Sequence, residues 1–212
     1  MSKPNAREAI LDTAERLFAE QGMESVSLRM INAEAGYSVA ALHYHFGTRD
    51  KLIDELLVQR QGLILDRRQQ LLDELSRKKR PDVRGISEAL VLPFAELLFA
   101  NPESGLRTIK FFFRSYVEQR DHKRVRKITE QSYRIFDKLL AQALPKLSED
   151  VLEKRWAFAT ELTFQGLANV DTILASRNKK PLLNKKPLTA DYQHYTALLL
   201  DFIVGGLAAK SN

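Results

Sequence analysis

Helical periodicity runs through the whole chain, and it constrains the fold more than any other feature of the sequence. Apolar residues recur every three or four positions, whereas no stretch shows the strict alternation of a half-buried strand. The first helical pattern runs from about residue 5 to residue 21, with Ile10, Leu17 and Phe18 on one side, and Gly22 ends it. The pattern predicts an all-α protein.

Two shorter helices are expected next, each opened by a serine. Ser27 and Ser38 suit N-caps, because a serine hydroxyl accepts a bond from the free N–H groups of a first turn. Gly36 and Tyr37 make a tight turn between these helices. Thr48 then opens a long helix over residues 49–79, with its leucines on one side. Three short helices before a long one predict a helix-turn-helix head on a helical stalk.

A second helical region is expected after the basic run at residues 77–80. Four or five helices fit its apolar pattern, at about residues 86–100, 106–119, 124–143, 149–177 and 190–209. Asn101, Pro102 and Gly105 are typical of a loop between the first two of them. Ser148 and Thr189 suit the N-caps of the last two helices.

The composition excludes several classes of protein. Hydrophobic residues make up 44% of the 212 residues and charged residues 28%, as in an ordinary globular chain. The absence of cysteine excludes disulfides, thiolate zinc sites and cysteine nucleophiles. The most apolar stretch, residues 197–209, is short and interrupted by Asp201, and no signal peptide is evident at the start. We therefore expect a soluble, cytoplasmic protein without a membrane partner.

Catalytic and metal-binding patterns are absent as well. The four histidines show no metal-ligand spacing, and His43 and His45 do not share a helix face. No glycine-rich phosphate loop, nucleophile elbow or paired-carboxylate motif is present. We expect no cofactor, no metal and no catalytic residue, and hence not an enzyme.

Residues 31–52 carry the most informative pattern. Ala35 and Gly36 are small where two helices of a helix-turn-helix cross closely, and Leu42 and Phe46 are spaced as inward anchors. The outward face of the second helix must be small or polar to enter a major groove. The candidates for this face are Val39, Ala40, Ala41, His43 and Tyr44.

The first 52 residues resemble the DNA-binding head of the TetR (tetracycline-repressor) family of bacterial transcriptional regulators. The resemblance covers about a quarter of the chain and rests on many residues at matched spacing: Ile10, Leu11, Ala14, Leu17, Phe18, Ala19, Glu20, Gly22, Ser25, Val26, Ser27, Ile31, Ala35, Gly36, Leu42, Tyr44, His45, Phe46, Gly47, Thr48, Arg49 and Leu52. It implies two domains, a helix-turn-helix DNA-binding domain at residues 1–52 and a helical ligand-binding and dimerisation domain at residues 53–212.

The resemblance also implies which head residues touch DNA. Ser27 would donate to a phosphate, and Arg29 would contact a phosphate or a base. Contacts to bases or adjoining phosphates are implied for Ser38, Val39, Ala40, Ala41 and His43, and contacts to phosphate for Tyr44 and His45. Arg49 takes the position of the usual lysine, where a cation and a helix N-terminus together favour an anion. His43 departs from the commonest family pattern, which has tyrosine there.

The second domain would bind a small molecule and a second subunit. Family members usually enclose an inducer in this domain, and residues 86–175 are rich in the aromatic side chains of an apolar pocket. The candidate ligand-binding residues are Phe112, Tyr116, Tyr133 and Trp156. Alternatively, these aromatics form ordinary core. The last two helices would form the dimer interface, two from each subunit, unless they are core helices of a monomer.

The sequence therefore predicts a homodimeric repressor that a small apolar or aromatic ligand releases from a pseudo-palindromic operator in double-stranded DNA. An activator would use the same head. A helical small-molecule binding protein with a vestigial DNA-binding head and a helical enzyme are alternatives from other classes. The net charge of +6 does not decide between them, because residues 1–51 hold six Lys and Arg against seven Asp and Glu, a net charge of −1. The DNA affinity of such a regulator would come from a few hydrogen-bond donors at defined positions, and this affinity would depend only modestly on salt concentration.

Overall fold

The structure is a computed structural model that describes residues 6–118, 123–176 and 187–210. These residues form ten helices and no strand, which confirms the all-α prediction. In chain order the helices are α1 (Ala6–Gln21), α2 (Leu28–Ala35), α3 (Val39–Phe46), α4 (Arg49–Ser76), α5 (Val83–Ala100), α6 (Pro102–Glu118), α7 (Lys123–Ala143), α8 (Glu149–Ala168), α9 (Val170–Ser176) and α10 (Thr189–Ala208).

The loop expected at residues 101–105 is instead the first turn of α6. Pro102 opens this helix, because proline's missing N–H would have no partner at that position anyway. The Asn101 side chain caps the turn by accepting a bond from the N–H of Ser104 at 3.0 Å. A Cβ on Gly105 would come within 2.3 Å of the Leu97 carbonyl oxygen, so glycine permits a close approach to α5.

Two predictions for the last helices are wrong. The single helix expected at residues 149–177 is divided at Asn169, whose side-chain amide donates to the Gln165 carbonyl at 2.9 Å and ends α8. Thr189 is the first residue of α10 and not its cap. Leu188 holds the cap position, and its N–H donates to the Asp191 carboxylate at 2.8 Å.

The chain divides into two compact units. The head unit comprises Met1–Gly62 and Arg107–Ile128, and the body unit comprises Leu63–Leu106 and Thr129–Asn212. Helices α4, α6 and α7 each contribute residues to both units. These units describe packing, whereas the predicted boundary at residues 52 and 53 concerns function and stays a prediction.

The core of the head unit is apolar with one buried acid. Ile10 and Phe18 of α1 are fully buried, as is Phe111 of α6, whose ring centroid lies 6.2 Å from that of Phe18. Glu15, also buried, accepts bonds from the Arg60 guanidinium at 3.0 Å and the Thr108 hydroxyl at 2.5 Å. Burial of apolar area drives the packing, and these two donors satisfy the buried carboxylate.

The core of the body unit forms where α5 packs against α10 and α8. Ile86, Ala89 and Val91 of α5 are fully buried, and α10 contributes Leu200 and Ile203. No helix of the described residues combines the length and the apolar character that crossing a membrane requires.

Candidate nucleic-acid interface

Both serine caps form as predicted. The Ser27 hydroxyl accepts the N–H of Met30 at 3.2 Å and begins α2, and the Ser38 hydroxyl accepts the N–H of Ala41 at 3.1 Å and begins α3. Both side chains are exposed. A hydroxyl has one donor and two acceptor sites, so each serine keeps its O–H free to donate while its oxygen caps the helix.

The turn between α2 and α3 depends on a glycine. Gly36 has φ 71° and ψ 24°, the left-handed conformation, and its N–H donates to the Asn32 carbonyl at 3.1 Å. A Cβ there would meet nothing within 4 Å, so the backbone angle and not the space favours glycine. Leu42 and Phe46 are both buried and hold the inner side of α3 as predicted.

The outer side of α3 presents small and aromatic side chains. Ala40, His43 and Tyr44 are exposed, and Ala41 and His45 are half-buried. Tyr44 is 86% exposed, and its ring lies edge-on to that of His45 at 5.3 Å. The Val39 side chain lies outside the part of the chain that the structure describes. A large aromatic side chain this exposed has no role in the core, which favours contact with another molecule.

His43 is oriented by its own helix end. Its Nδ1 lies 2.7 Å from the Gly47 carbonyl oxygen, so Nδ1 carries the hydrogen and donates. With the hydrogen on Nδ1, Nε2 is the acceptor of the ring. The exposed edge of α3 therefore carries a polar atom with a defined role.

Arg49 is engaged within the head unit. Its Nε donates to the Val26 carbonyl at 2.9 Å, a terminal nitrogen donates to the Met23 carbonyl, and the guanidinium lies 5.4 Å from the Phe18 ring centroid. Thr48 caps the same helix end by accepting the N–H of Lys51 at 3.2 Å. The guanidinium thus holds the segment between α1 and α2, and the phosphate contact of Arg49 stays a prediction.

The four predicted ligand-binding residues lie in different units. Phe112 and Tyr116 belong to α6 in the head unit, and Tyr133 and Trp156 belong to the body unit. Phe112 and Trp156 are buried, and the Trp156 ring lies 4.5 Å from that of Phe136. No group of three or more possible metal ligands occurs among the described residues.

The sequence reasoning missed two charged residues that the structure places prominently. Glu118 at the end of α6 accepts the N–H of Met23 at 2.6 Å, a pairing of residues 95 positions apart that no local pattern indicates. Arg68 is buried in the body unit. It stands four positions after Ile64 and four before Leu72, both of which are buried. This spacing places Arg68 on the apolar side of α4, and its burial could have been predicted from the sequence on that ground.

The fold and this surface define a helix-turn-helix protein, in which capped α2 and α3 flank a glycine turn. A family model described as bacterial regulatory proteins of the tetR family matches residues 10–56. A second model, described as the tetracyclin repressor-like C-terminal domain, matches residues 88–206. Together the two models reach both units, and the chain belongs to the TetR family of bacterial transcriptional regulators.

Curated relatives and solved structures agree with this family. The chain is 31% identical over 105 residues to the transcriptional repressor KstR2 of Rhodococcus jostii, a match that covers 47% of this chain and only 46% of that protein. It is 27% identical over 165 residues to the regulator BetI of Brucella anthropi, covering 78% and 80% of the two chains. The structure of KstR2 of Mycobacterium tuberculosis has a similar fold, with a TM-score of 0.59 and 21% identity over 95% of this chain and 96% of that one.

Proposed function

We propose that the protein is a repressor that binds a pseudo-palindromic operator in double-stranded DNA as a homodimer and leaves it when a small-molecule effector binds. The observation that carries the proposal is the outer side of α3, where Tyr44 is 86% exposed beside Ala40 and His43. A helix with small side chains and a few polar tips fits a major groove about 12 Å wide.

The contacts divide into phosphate and base groups. Ser27 and Ser38 donate their free O–H groups to phosphates, and the exposed Tyr44 hydroxyl and His45 do the same. Ala40, Ala41 and Val39 offer methyl contacts to thymine, and His43 presents Nε2 to a base edge or an adjoining phosphate. Arg29, exposed on α2, and the first turn of α4 at Arg49 complete the phosphate contacts.

The exposed apolar face of α8 and α10 supports the proposed homodimer. Phe158 is 66% exposed and Phe202 is 69% exposed, and between them Leu162 and other apolar groups line a groove of about 420 Å³. Monomers seldom leave large aromatic side chains together in water. Two helices from each subunit would cover this face, and the two-fold symmetry would match a pseudo-palindromic site with half-sites about 34–36 Å apart.

The effector acts through the body unit. Since α4 is continuous from residues of the head unit to residues of the body unit, a ligand that displaces it would change the spacing of the two heads in the dimer. Two states with different head spacing differ in operator affinity, and by linkage DNA weakens effector binding to the same extent. We place this regulation in the cytoplasm, with the DNA that it controls.

The first experiment recovers the operator. Sheared genomic DNA is captured by the purified protein, and the enriched sequence is titrated in a fluorescence anisotropy assay. Tyr44→Phe removes only an exposed hydroxyl, so we expect unchanged thermal stability and roughly tenfold weaker operator binding, as for the loss of about 1.4 kcal/mol. Absence of sequence-selective enrichment would instead support a small-molecule binding protein with a vestigial head.

The salt dependence provides a charge-matched comparison. Arg29→Gln removes a proposed phosphate contact, whereas Arg134→Gln removes an arginine that is exposed on α7. The slope of log affinity against log salt should become shallower by about 0.9 for each phosphate charge that Arg29 neutralises, and it should stay constant with Arg134→Gln. Equal slopes for both variants would remove Arg29 from the interface.

A further inference from the structure

Arg68 is a buried cation that forms no ion pair within the described part of the chain. It lies on α4 in the body unit and is only 7% exposed. Its Nε donates to the Ala89 carbonyl at 3.3 Å, and its guanidinium lies 5.4 Å from the Phe94 ring centroid. No carboxylate of the described residues lies within 4.0 Å of its nitrogens, whereas the adjacent Arg67 pairs with Glu96 at 3.0 Å.

Such an arrangement is unfavourable for an empty protein. A guanidinium removed from water loses its hydration, and one carbonyl and one aromatic face replace it incompletely. Burial lowers the pKa of Arg68 to about 10, so the side chain still carries its charge at neutral pH. The body unit therefore holds a largely buried positive charge whose one hydrogen bond within the described residues is the bond from Nε to Ala89.

Aromatic side chains form a connected cluster with Arg68. Phe94, which lies beneath the guanidinium, is in edge contact with Phe164 at 5.1 Å. The Tyr133 phenol lies within electrostatic range of the Arg68 guanidinium. Tyr133 stands three positions before Phe136 on α7, and the ring of Phe136 lies 4.5 Å from that of Trp156.

Helix α8 adds two polar groups to this cluster. Thr160 stands four positions after Trp156 and four before Phe164, so the three side chains share one face of α8. The Nε1 of Trp156 and the hydroxyl of Thr160 are buried and have no hydrogen-bond partner among the residues that the structure describes. Buried polar atoms are nearly always bonded, so two without a described partner, on the α8 face from which Phe164 contacts Phe94, indicate a polar guest.

We propose that this cluster, formed by Arg68, Phe94, Tyr133, Trp156, Thr160 and Phe164, binds a small organic carboxylate with an apolar body. The carboxylate accepts two parallel bonds from the Arg68 guanidinium, and the Trp156 N–H and the Thr160 hydroxyl donate to its remaining lone pairs. The aromatic rings cover the apolar body. The inference rests on the proposed function only in making this carboxylate the effector.

Charge gives the site its selectivity. A neutral analogue with the same apolar body would fill the aromatic surroundings but leave the cation unpaired. Lysine in place of Arg68 would keep the charge and lose the planar pair of donors, so it is not an equivalent substitute. The site is thereby built to distinguish an acid from the corresponding alcohol.

The test uses Trp156 as its own reporter, because it is the only tryptophan in the chain. The intact protein is titrated with 4-phenylbutyrate and decanoate, and in parallel with 4-phenylbutan-1-ol and decan-1-ol, while tryptophan fluorescence is recorded. We expect a saturable change with at least one acid and at least tenfold weaker binding of its alcohol. Arg68→Met should weaken the acid at least tenfold and leave the alcohol unchanged, and Arg67→Met should change neither.

Stability measurements separate a binding role from a structural one. Without ligand, Arg68→Met should unfold at the same temperature as the wild type or higher, because an unpaired buried charge is removed. Thr160→Val, which keeps the shape and removes an unpartnered hydroxyl, gives an independent variant in case Arg68→Met does not fold. It should weaken acid binding several-fold at undiminished stability.

Three results would overturn the proposal: no saturable change with either acid, equal binding of acid and alcohol, or unchanged acid binding in both Arg68→Met and Thr160→Val. None of these results bears on operator binding by the unliganded protein, because that binding is measured separately by anisotropy. The carboxylate site can therefore fail while the proposed DNA-binding function stands, and the reverse also holds.

Discussion

The Glu118 carboxylate accepts a hydrogen bond from the backbone N–H of Met23 at 2.6 Å. It thereby ties the last turn of α6 to the turn that follows α1 within the head unit. Gly22, with φ 90°, forms that turn, and a Cβ there would come within 2.9 Å of the same carboxylate. The backbone angle thus favours glycine, and the missing Cβ leaves room for the Glu118 carboxylate.

Removal of this carboxylate should destabilise the head. Glu118→Ala leaves the Met23 N–H without its charged acceptor and breaks the Arg114 pair at 2.7 Å, so we expect a loss of about 2 kcal/mol in the free energy of unfolding. Urea denaturation measures it. Glu130→Ala is the matched control, because Glu130 also pairs with an arginine four positions away but in an exposed setting worth about 0.3–0.5 kcal/mol. Equal losses in both variants would show that the Met23 bond contributes nothing.

Arg49→Lys should act mainly on stability. A lysine ammonium cannot reproduce the fork that donates to the Val26 and Met23 carbonyls, so we expect the free energy of unfolding to fall by about 1–2 kcal/mol. Lys51→Arg, the reverse exchange at an exposed position of the same helix, should leave the stability unchanged. Thermal denaturation and operator anisotropy are measured together. Weaker operator binding at unchanged stability would mean that the guanidinium acts on phosphate and not on the segment between α1 and α2.

The sequence predicts the head well because its determinants are local. Ser27 and Ser38 cap helices whose first turns they begin, and Leu42 and Phe46 are buried because they lie four residues apart on one helix face. The outward position of Tyr44 follows from the same spacing. Each of these features is decided within about one helical turn, which is the range over which periodicity is informative.

Features that depend on distant residues are not accessible in this way. The Glu118 bond to Met23 joins residues 95 positions apart, and the guanidinium of Arg49 is directed by carbonyls 23 and 26 positions earlier. The end of α8 at Asn169 involves neither glycine nor proline, the residues by which a break is usually recognised. Arg68 is partly predictable. Its place on an apolar stripe of α4 can be read from the sequence, whereas the absence of a described acidic partner depends on distant residues.

Phe202→Glu should dissociate the dimer. Phe202 is 69% exposed on α10 and lines the groove with Phe158, so a carboxylate there would be buried opposite its symmetry mate. We expect sedimentation velocity to show a dimer for the wild type and mostly monomer for the variant. Leu188→Glu changes an exposed leucine that precedes α10 and does not line the groove, and it should remain dimeric. Monomeric wild-type protein, or a dimer that both variants retain, would place the subunit contact elsewhere.

The two N-caps of α5 and α8 should respond differently to the same change. The Asp82 carboxylate accepts the Gly85 N–H at 2.8 Å and begins α5, whereas Ser148 holds the cap position of α8 without a side-chain bond. Asp82→Ala should therefore cost about 1 kcal/mol at pH 7, and Ser148→Ala should be nearly neutral. Denaturant unfolding of the two variants at the same pH makes the comparison.

The effect of Asp82 should also depend on pH. Its bond from the Gly85 N–H, aided by Lys78, holds the pKa of the Asp82 carboxyl below its ordinary value. Because the pKa is lower in the folded state, the stabilisation is complete above the ordinary aspartate value of about 3.9 and is lost as the pH falls through the lowered folded-state pKa. The stability difference between wild type and Asp82→Ala should thus stay constant from pH 7 to about pH 5 and shrink in stronger acid. A difference that grows on acidification would contradict the charged cap, since only the ionised carboxylate accepts the Gly85 bond at full strength.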